Sequence, residues 1–106
     1  MVKLKFVSEP TFTFDVPVPV AGKDPVPVNM TFKYRRKTEL AEWMASRAGK
    51  SDTESFMEMV TAWELEDPFT KESVTEFLEI YGGASIATFR VYLSELVGAR
   101  EKNSAR

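Results

Sequence analysis

Strict alternation of apolar and polar residues marks the first third of the chain. From Thr11 to Val20 every second residue is Phe or Val, and the same alternation returns from Pro25 to Tyr34. Alternation with a period of two predicts half-buried β-strands. The segment between them, Ala21–Asp24, has the composition of a turn, so the two strands are expected to form an antiparallel hairpin.

The side chains also predict how the two strands pair. Placing Val16 opposite Met30 gathers the apolar residues of both strands on one face, and Pro19 then faces Pro27. If these prolines lie at non-hydrogen-bonded pairs, their nitrogen atoms point away from the partner strand. The missing N–H groups then cost the hairpin no hydrogen bond between its strands. The alternative is an irregular, partly polyproline-like arm over residues 16–28, because four prolines lie so close together.

After Tyr34 the hydrophobic period becomes that of an α-helix. Four amphipathic segments follow, and the second is expected to run through Trp63 and to be separated from the third by Pro68. Each segment begins with a residue type that favours helix N-termini. The expected first residues or caps are Thr38, Ser51, Thr70 and Ser85.

These elements predict an α+β fold, in which an N-terminal antiparallel hairpin packs on a C-terminal bundle of four helices. Lys3 to Val7 is a candidate third strand. A chain of 106 residues fits a single domain with one core. Residues 1–36 would form the β ribbon, 37–100 the helical part and 101–106 a frayed end. Trp43 and Trp63 are expected to be core anchors, since each lies on an apolar helix face.

Composition removes most catalytic chemistry. The chain has no Cys and no His, which excludes disulfides, thiolate nucleophiles, imidazole ligands and Ser-His-Asp triads. The carboxylates Glu64, Glu66 and Asp67 form a cluster, but nothing predicts the burial that would separate their pKa values for acid–base catalysis. No loop has the alternating oxygen ligands of a calcium site. We therefore expect no enzyme, no metal and no cofactor.

No segment suggests a membrane protein or a secreted one. No run approaches the ~20 apolar residues of a membrane-spanning helix. The N-terminus alternates lysines with apolar residues and builds no signal-peptide core. The expected location is a cytoplasm.

Charge is distributed unevenly along the chain. Residues 1–50 carry 9 Lys/Arg and 5 Asp/Glu, whereas residues 51–106 carry 5 and 11. Such a dipole can steer a partner or a second copy of the chain, although surface charge often serves only solubility. The basic extreme is an electrostatic patch of Lys33, Arg35, Arg36 and Lys37, of which alternation would place three on one strand face. Nucleic-acid binding is not expected, since the net charge is −2.

Three segments carry a resemblance to a known family. They are Thr31–Leu40, the joint Trp63–Thr70, and Tyr92–Asn103. In this order and spacing they resemble the tail assembly chaperones of long-tailed bacteriophages, over nearly the whole chain. Family members often have Gly and Asp on either side of the joint tryptophan, where this chain has Ala62 and Glu64.

The resemblance implies a non-enzymatic chaperone that binds the tape measure protein of its phage and helps tail tube protein assemble around it. It would act in the host cytoplasm and be absent from the mature virion. The alternatives are a structural tail or head–tail joining component retained in the virion, or a small DNA-binding regulator that uses the basic run.

Two binding surfaces are expected from the residue pattern. Self-association into a homo-oligomer is predicted through the apolar face of the hairpin, at Phe12, Phe14, Val16, Val18, Val28, Met30 and Phe32. Client binding is predicted on the second and third helices and their joint, at Met57, Glu58, Glu64, Glu66, Asp67 and Glu76.

The family resemblance also implies a second, longer product made by programmed frameshifting. Glu101-Lys102-Asn103 can be encoded as GAA AAA AAC, which contains the slippery sequence A AAA AAC in the required frame.

Overall fold

The computed structural model describes residues 9–98, which form a three-stranded antiparallel sheet and four α-helices. The sheet order is β1-β2-β3, and the expected α+β class is confirmed. The candidate third strand at Lys3–Val7 and the chain end at residues 101–106 lie outside the described residues. In chain order the elements are β1 (Thr11–Val20), β2 (Lys23–Lys33), α1 (Lys37–Ser46), a 3₁₀ turn (Arg47–Gly49), α2 (Asp52–Met59), β3 (Val60–Trp63), α3 (Lys71–Ile80) and α4 (Ala84–Val97).

β1 and β2 form the predicted hairpin, but with a tighter turn and a different register. Only Ala21 and Gly22 lie in the turn, and Gly22 has a φ of 77°, a left-handed conformation that glycine adopts at little cost. Val16 lies opposite Val28 rather than opposite Met30, so the predicted register is wrong by two residues. A shift of two keeps every apolar residue on the predicted face, because side chains alternate with a period of two.

The prolines occupy positions where the sheet tolerates them. Near the hairpin tip a bulge places Asp24 and Pro25 together opposite Pro19. Further along, Pro17 faces Pro27, and neither has an N–H group to donate, as expected of a non-hydrogen-bonded pair. Both strands are continuous through this region, so the alternative of an irregular arm is wrong.

The second helix is shorter than its spacing predicts. It ends at Met59, and Val60–Trp63 forms β3, which pairs with the outer edge of β2. That edge offers unpaired backbone N–H and C=O groups, and the segment is rich in the β-branched and aromatic residues that favour strands. The expectation of one helix running through Trp63 is therefore wrong.

Two of the three expected helix caps are confirmed. Ser51 Oγ accepts a hydrogen bond from the Glu54 N–H at 3.1 Å, and the Glu54 carboxylate accepts one from the Ser51 N–H at 2.9 Å. Thr70 Oγ1 accepts from a backbone N–H of α3 at 3.1 Å. The cap expected at Thr38 is wrong, since α1 begins at Lys37 and Thr38 lies inside its first turn. The fourth helix begins at Ala84, one residue before the expected Ser85.

The core lies between the sheet and the helices. The apolar face of the hairpin packs on α4, as the fold prediction requires, and the other three helices close the remaining sides. Trp43 is buried as expected, whereas Trp63 is half-buried. The buried apolar residues are Val16, Val18, Val28, Met30, Phe32, Leu40, Trp43, Phe56, Met59, Val60, Val74, Phe77, Ala84 and Tyr92.

Tyr92 of α4 connects the sheet with α1. Its ring is fully buried, stacks on Phe32 at 5.6 Å between centroids and meets Trp43 edge-on at 5.5 Å. Its hydroxyl donates to the Lys33 carbonyl at 2.7 Å and accepts from Arg35 Nη1 at 2.9 Å. Burial raises the pKa of Tyr92 above its ordinary value of 10.0, against the opposing effect of the Arg35 guanidinium.

Replacing Tyr92 by Phe should destabilise the protein by about 1 kcal/mol, because two partly buried polar groups, the Lys33 carbonyl and the Arg35 guanidinium, each lose a hydrogen bond while the ring packing is retained. Urea denaturation near neutral pH measures the change. Tyr81→Phe is the matched control, since the Tyr81 ring is only half-buried and packs against Phe77. Equal stability of Tyr92→Phe and the native chain would contradict the assigned role of the hydroxyl.

The native chain and Tyr92→Phe should also differ in how their stability responds to alkaline pH. Tyr92 has a raised pKa in the folded state, so the unfolded chain loses this proton first, and the native protein loses stability as pH rises above 10.0. Tyr92→Phe lacks this loss. The stability difference between the two proteins should therefore shrink above that pH in parallel urea titrations.

Candidate protein-binding site

The basic run does not form one surface patch. β2 ends at Lys33 and α1 begins at Lys37, so the expected placement of alternate residues on one strand face is wrong. Arg35 points inward, where its guanidinium lies 5.0 Å above the Trp43 ring and donates to Tyr92. Lys33, Arg36 and Lys37 stay exposed. The run therefore supplies three surface charges rather than four, which weakens the DNA-binding alternative.

Glu58 is held by contacts within the chain. Its carboxylate accepts hydrogen bonds from Lys50 Nζ at 2.8 and 3.0 Å and from Trp43 Nε1 at 2.8 Å. The hydrogen bond from Lys50 holds the pKa of Glu58 below its ordinary value of 4.5, although partial burial opposes this. Arg35 donates to the backbone carbonyl of the same residue at 2.7 Å. Glu58 therefore stabilises the α1–α2 packing, and its predicted contact with a client stays a prediction.

An open groove of about 570 Å³ lies between α3 and the loop that joins β3 to α3. Its apolar and aromatic lining comes from Trp63, Leu65, Phe77, Ile80 and Tyr81. Four carboxylates line it as well, from Glu66, Asp67, Glu72 and Glu76. We call this feature the acidic groove.

The loop that borders the acidic groove is organised around Trp63. Trp63 Nε1 donates to the Asp67 carbonyl at 2.8 Å, which closes the loop. Phe69 and Phe77 each pack edge-on against the Trp63 ring, with centroids 5.1 Å apart. Thr70 then caps α3 directly after the loop. The strand β3 therefore positions the ring that holds the groove in shape.

The side of α3 that faces the acidic groove follows from helical spacing. Glu72, Glu76 and Ile80 are four residues apart, so they form one stripe along the helix. Ile80 is 60% exposed, so its side chain is accessible from solvent. The groove therefore combines accessible apolar surface with negative charge.

The structure divides the six predicted client-binding residues. It brings Glu66, Asp67 and Glu76 together at the acidic groove. Glu64 is exposed on the same loop but does not line the groove. Met57 packs on the core, and the Glu58 carboxylate accepts a hydrogen bond from Lys50.

The prediction missed the apolar part of the groove and one of its acids. The i, i+4, i+8 spacing of Glu72, Glu76 and Ile80 was the available signal. Leu65 had no such signal, because its exposure depends on a loop that the sequence does not predict in detail.

The predicted self-association face lies mainly inside the fold. Val16, Val18, Val28, Met30 and Phe32 belong to the core of the chain itself. Of the two remaining residues, Phe12 is half-buried and Phe14 is 38% exposed. Association through a second copy stays a prediction, and within the folded chain it has Phe14 and the edge of β1 as its available surface.

Two further findings concern the described residues only. Residues 9–98 contain no group of three or more Asp and Glu side chains placed to hold a metal ion. None of the helices in this range is both long and apolar enough to cross a membrane.

The fold and the acidic groove correspond to a small protein-binding domain. Comparison with protein families finds a match to the phage tail assembly chaperones over residues 1–103. The chain belongs to this family. Searches among curated proteins and among solved structures found no match. Family membership indicates phage tail proteins as partners and a role in binding rather than in catalysis.

Replacing Glu58 by Gln should reduce stability near neutral pH, by less than about 1 kcal/mol because the pair with Lys50 is partly exposed. The pKa of Glu58 is lowered in the folded state, so its contribution is present above 4.5 and is lost as pH falls through the lowered value. The difference from the native chain should therefore shrink at acidic pH. Urea titrations across this range measure it, with the exposed Glu79→Gln as the control.

Proposed function

We propose that this chaperone binds the tape measure protein of its phage and helps tail tube protein assemble around it, with the acidic groove as the client-binding site. The single observation that carries the proposal is the combination in one groove of accessible Trp63, Leu65 and Ile80 with four carboxylates. Tape measure binding is what the family resemblance implies, and the groove supports it with a surface of suitable chemistry.

The apolar lining supplies the affinity that a chaperone needs. A long client that aggregates when unassembled exposes apolar side chains, and these gain free energy when they leave water, at ~25 cal/mol per Å² of apolar surface. Trp63 and Tyr81 present large rigid surfaces that lose little conformational entropy on binding. The open shape of the groove fits a helical or extended segment better than an enclosed small molecule.

The carboxylates determine which client segments are favoured. Four negative charges around an apolar surface attract segments in which Lys or Arg flank apolar residues, and they repel acidic ones. The carboxylates also keep the protein in solution although its groove exposes apolar surface, because like-charged grooves of two copies repel each other. Four of the acidic residues in the second half of the chain therefore contribute to client selection at this groove.

The site of action proposed is the host cytoplasm, before the tail is complete. A chaperone is released from the assembled tail, whereas a structural tail or head–tail joining component stays in it. Mass spectrometry of purified virions separates the two, since the chain should be absent.

Reversing two charges of the acidic groove, Glu66→Lys with Glu76→Lys, should weaken client binding at least tenfold by electrostatic repulsion. The measurement is co-expression with the tape measure protein of the same phage, scored for soluble client, followed by pull-down of the complex. Added salt should weaken native binding as well, because surface charges are screened.

The matched control also adds two lysines for two acids, Asp24→Lys with Glu42→Lys, at exposed positions outside the groove. This control should keep the client soluble. Ile80→Asp tests the apolar part separately and should also abolish solubilisation. Retention of client by both groove variants, with native circular dichroism spectra, would remove the acidic groove from the interface.

The longer frameshifted product is a separate expectation from the family resemblance, and the residues concerned lie outside 9–98. The coding sequence tests it directly. The codon AAA at Lys102 followed by AAC keeps the slippery sequence, whereas AAG at Lys102 eliminates it.

A further inference from the structure

The outer edge of β1 has no partner strand among the residues that the structure describes. Within residues 9–98 the strand order is β1-β2-β3, so β1 pairs with β2 on one side and with no strand on the other. Tyr34 donates its N–H to the Pro10 carbonyl at 2.9 Å, which identifies that residue pair as hydrogen-bonded. Alternate pairs along the hairpin share this geometry. The N–H and C=O groups of Phe12 and Phe14 therefore face β2, and those of Thr11, Thr13 and Asp15 face outward.

Prolines limit how far another strand can pair with this edge. Pro17 and Pro19 follow Asp15 at the next outward-facing positions, and neither has an N–H group. A strand added to β1 can therefore make a full ladder with Thr11–Asp15 but not beyond it. Prolines of this kind protect the rest of the edge from uncontrolled strand addition.

The segment Thr11–Asp15 is complementary to itself. If two copies pair antiparallel about a two-fold axis at Thr13, Thr11 lies opposite Asp15 of the second copy and Phe12 lies opposite Phe14. The three outward-facing positions then exchange about six backbone hydrogen bonds. Pairing centred closer to the hairpin tip would place Pro17 within the ladder, so the prolines favour this register.

The aromatic residues support the same pairing. Phe12 already stacks on Phe32 at 5.3 Å, and Phe32 stacks on Tyr92 at 5.6 Å. Phe14 of the second copy would lie beside Phe12, about 4.8 Å away in the strand-to-strand direction. The stack would then continue across the interface and cover Phe14, which is 38% exposed in the single chain.

Charge on the opposite face of the sheet is complementary as well. Thr11 lies opposite Lys33 in the hairpin. In the paired arrangement Asp15 of the second copy lies opposite Thr11 on its other side. Across the strands the side chains then run in the order Lys33, Thr11 and Asp15 of the second copy, so that the lysine and the carboxylate lie on either side of the threonine. The symmetry repeats this opposite-charge arrangement and brings Thr13 against Thr13 at the centre.

We propose that Thr11–Asp15 is a self-association site, at which two copies of this chain join their sheets edge to edge through antiparallel β1 strands. The contact is small for a stable dimer, so association should depend on concentration. This inference does not rest on the client proposal, because the acidic groove lies beside β3, at the opposite edge of the sheet.

The decisive variant is Thr13→Pro, which removes the central outward-facing N–H while keeping the bonds to β2, as Pro17 does naturally. Thr13→Val is the matched control, since it keeps the N–H. Sedimentation of the native chain from about 10 µM to about 1 mM should show a monomer–dimer equilibrium. The control should retain it, and Thr13→Pro should weaken association about tenfold or more, with an unchanged circular dichroism spectrum.

Hydrogen exchange of the native chain gives a test that needs no variant. The amides of Phe12 and Phe14 should be protected at every concentration, whereas those of Thr11, Thr13 and Asp15 should become protected only as the dimer forms. Three results would overturn the proposal: a monomer at all concentrations, association of Thr13→Pro equal to that of Thr13→Val, or dimers that leave the Thr13 amide unprotected. Dimerisation only after deletion of residues 2–8 would also overturn it, by showing that the edge is covered within the chain.

Discussion

The hydrogen bonds of Arg35 connect parts of the molecule that are far apart in sequence. Its guanidinium donates to Tyr92 of α4 and to the Glu58 carbonyl at the end of α2, and it lies over the Trp43 ring of α1. Tyr92 in turn holds the last carbonyl of β2. The hydrogen bond between the buried Tyr92 hydroxyl and the Arg35 guanidinium helps to fix how α4 packs against the other helices. A packing that separated the two groups would leave the buried hydroxyl without this partner.

Packing of the hairpin on α4 determines which apolar surfaces stay available for partners. Five apolar residues of the hairpin enter the core, and three of them, Val16, Met30 and Phe32, are fully buried. Among the described residues the large apolar side chains that stay exposed are Phe14, Val26, Met44, Ile80, Ile86 and Val97, and two of them, Phe14 on β1 and Ile80 beside the acidic groove, belong to the proposed binding surfaces. The two proposed sites, for a second copy at β1 and for a client at the acidic groove, therefore lie at opposite edges of the sheet.

The acidic groove depends on β3, the strand that the helical spacing did not predict. By pairing with β2, this short strand places Trp63 at the start of the loop, and the indole then holds that loop through the Asp67 carbonyl. A continuous helix through Trp63 would have removed the loop and the groove together. The chain belongs to the phage tail assembly chaperones, and this strand shapes the surface proposed for its client.

The sequence by itself determined the alternation of β1 and β2, the presence of four helical segments, and the caps Ser51 and Thr70, because each depends on neighbours a few residues away. It also indicated the family, through the order and spacing of three segments along the chain. It left the hairpin register open by two residues, since that shift keeps the same face inward. Only the tertiary structure decided that Arg35 turns inward and that Val60–Trp63 joins the sheet. Both outcomes depend on partners more than twenty residues distant, whose backbone and hydroxyl groups compete with water and with the local helix.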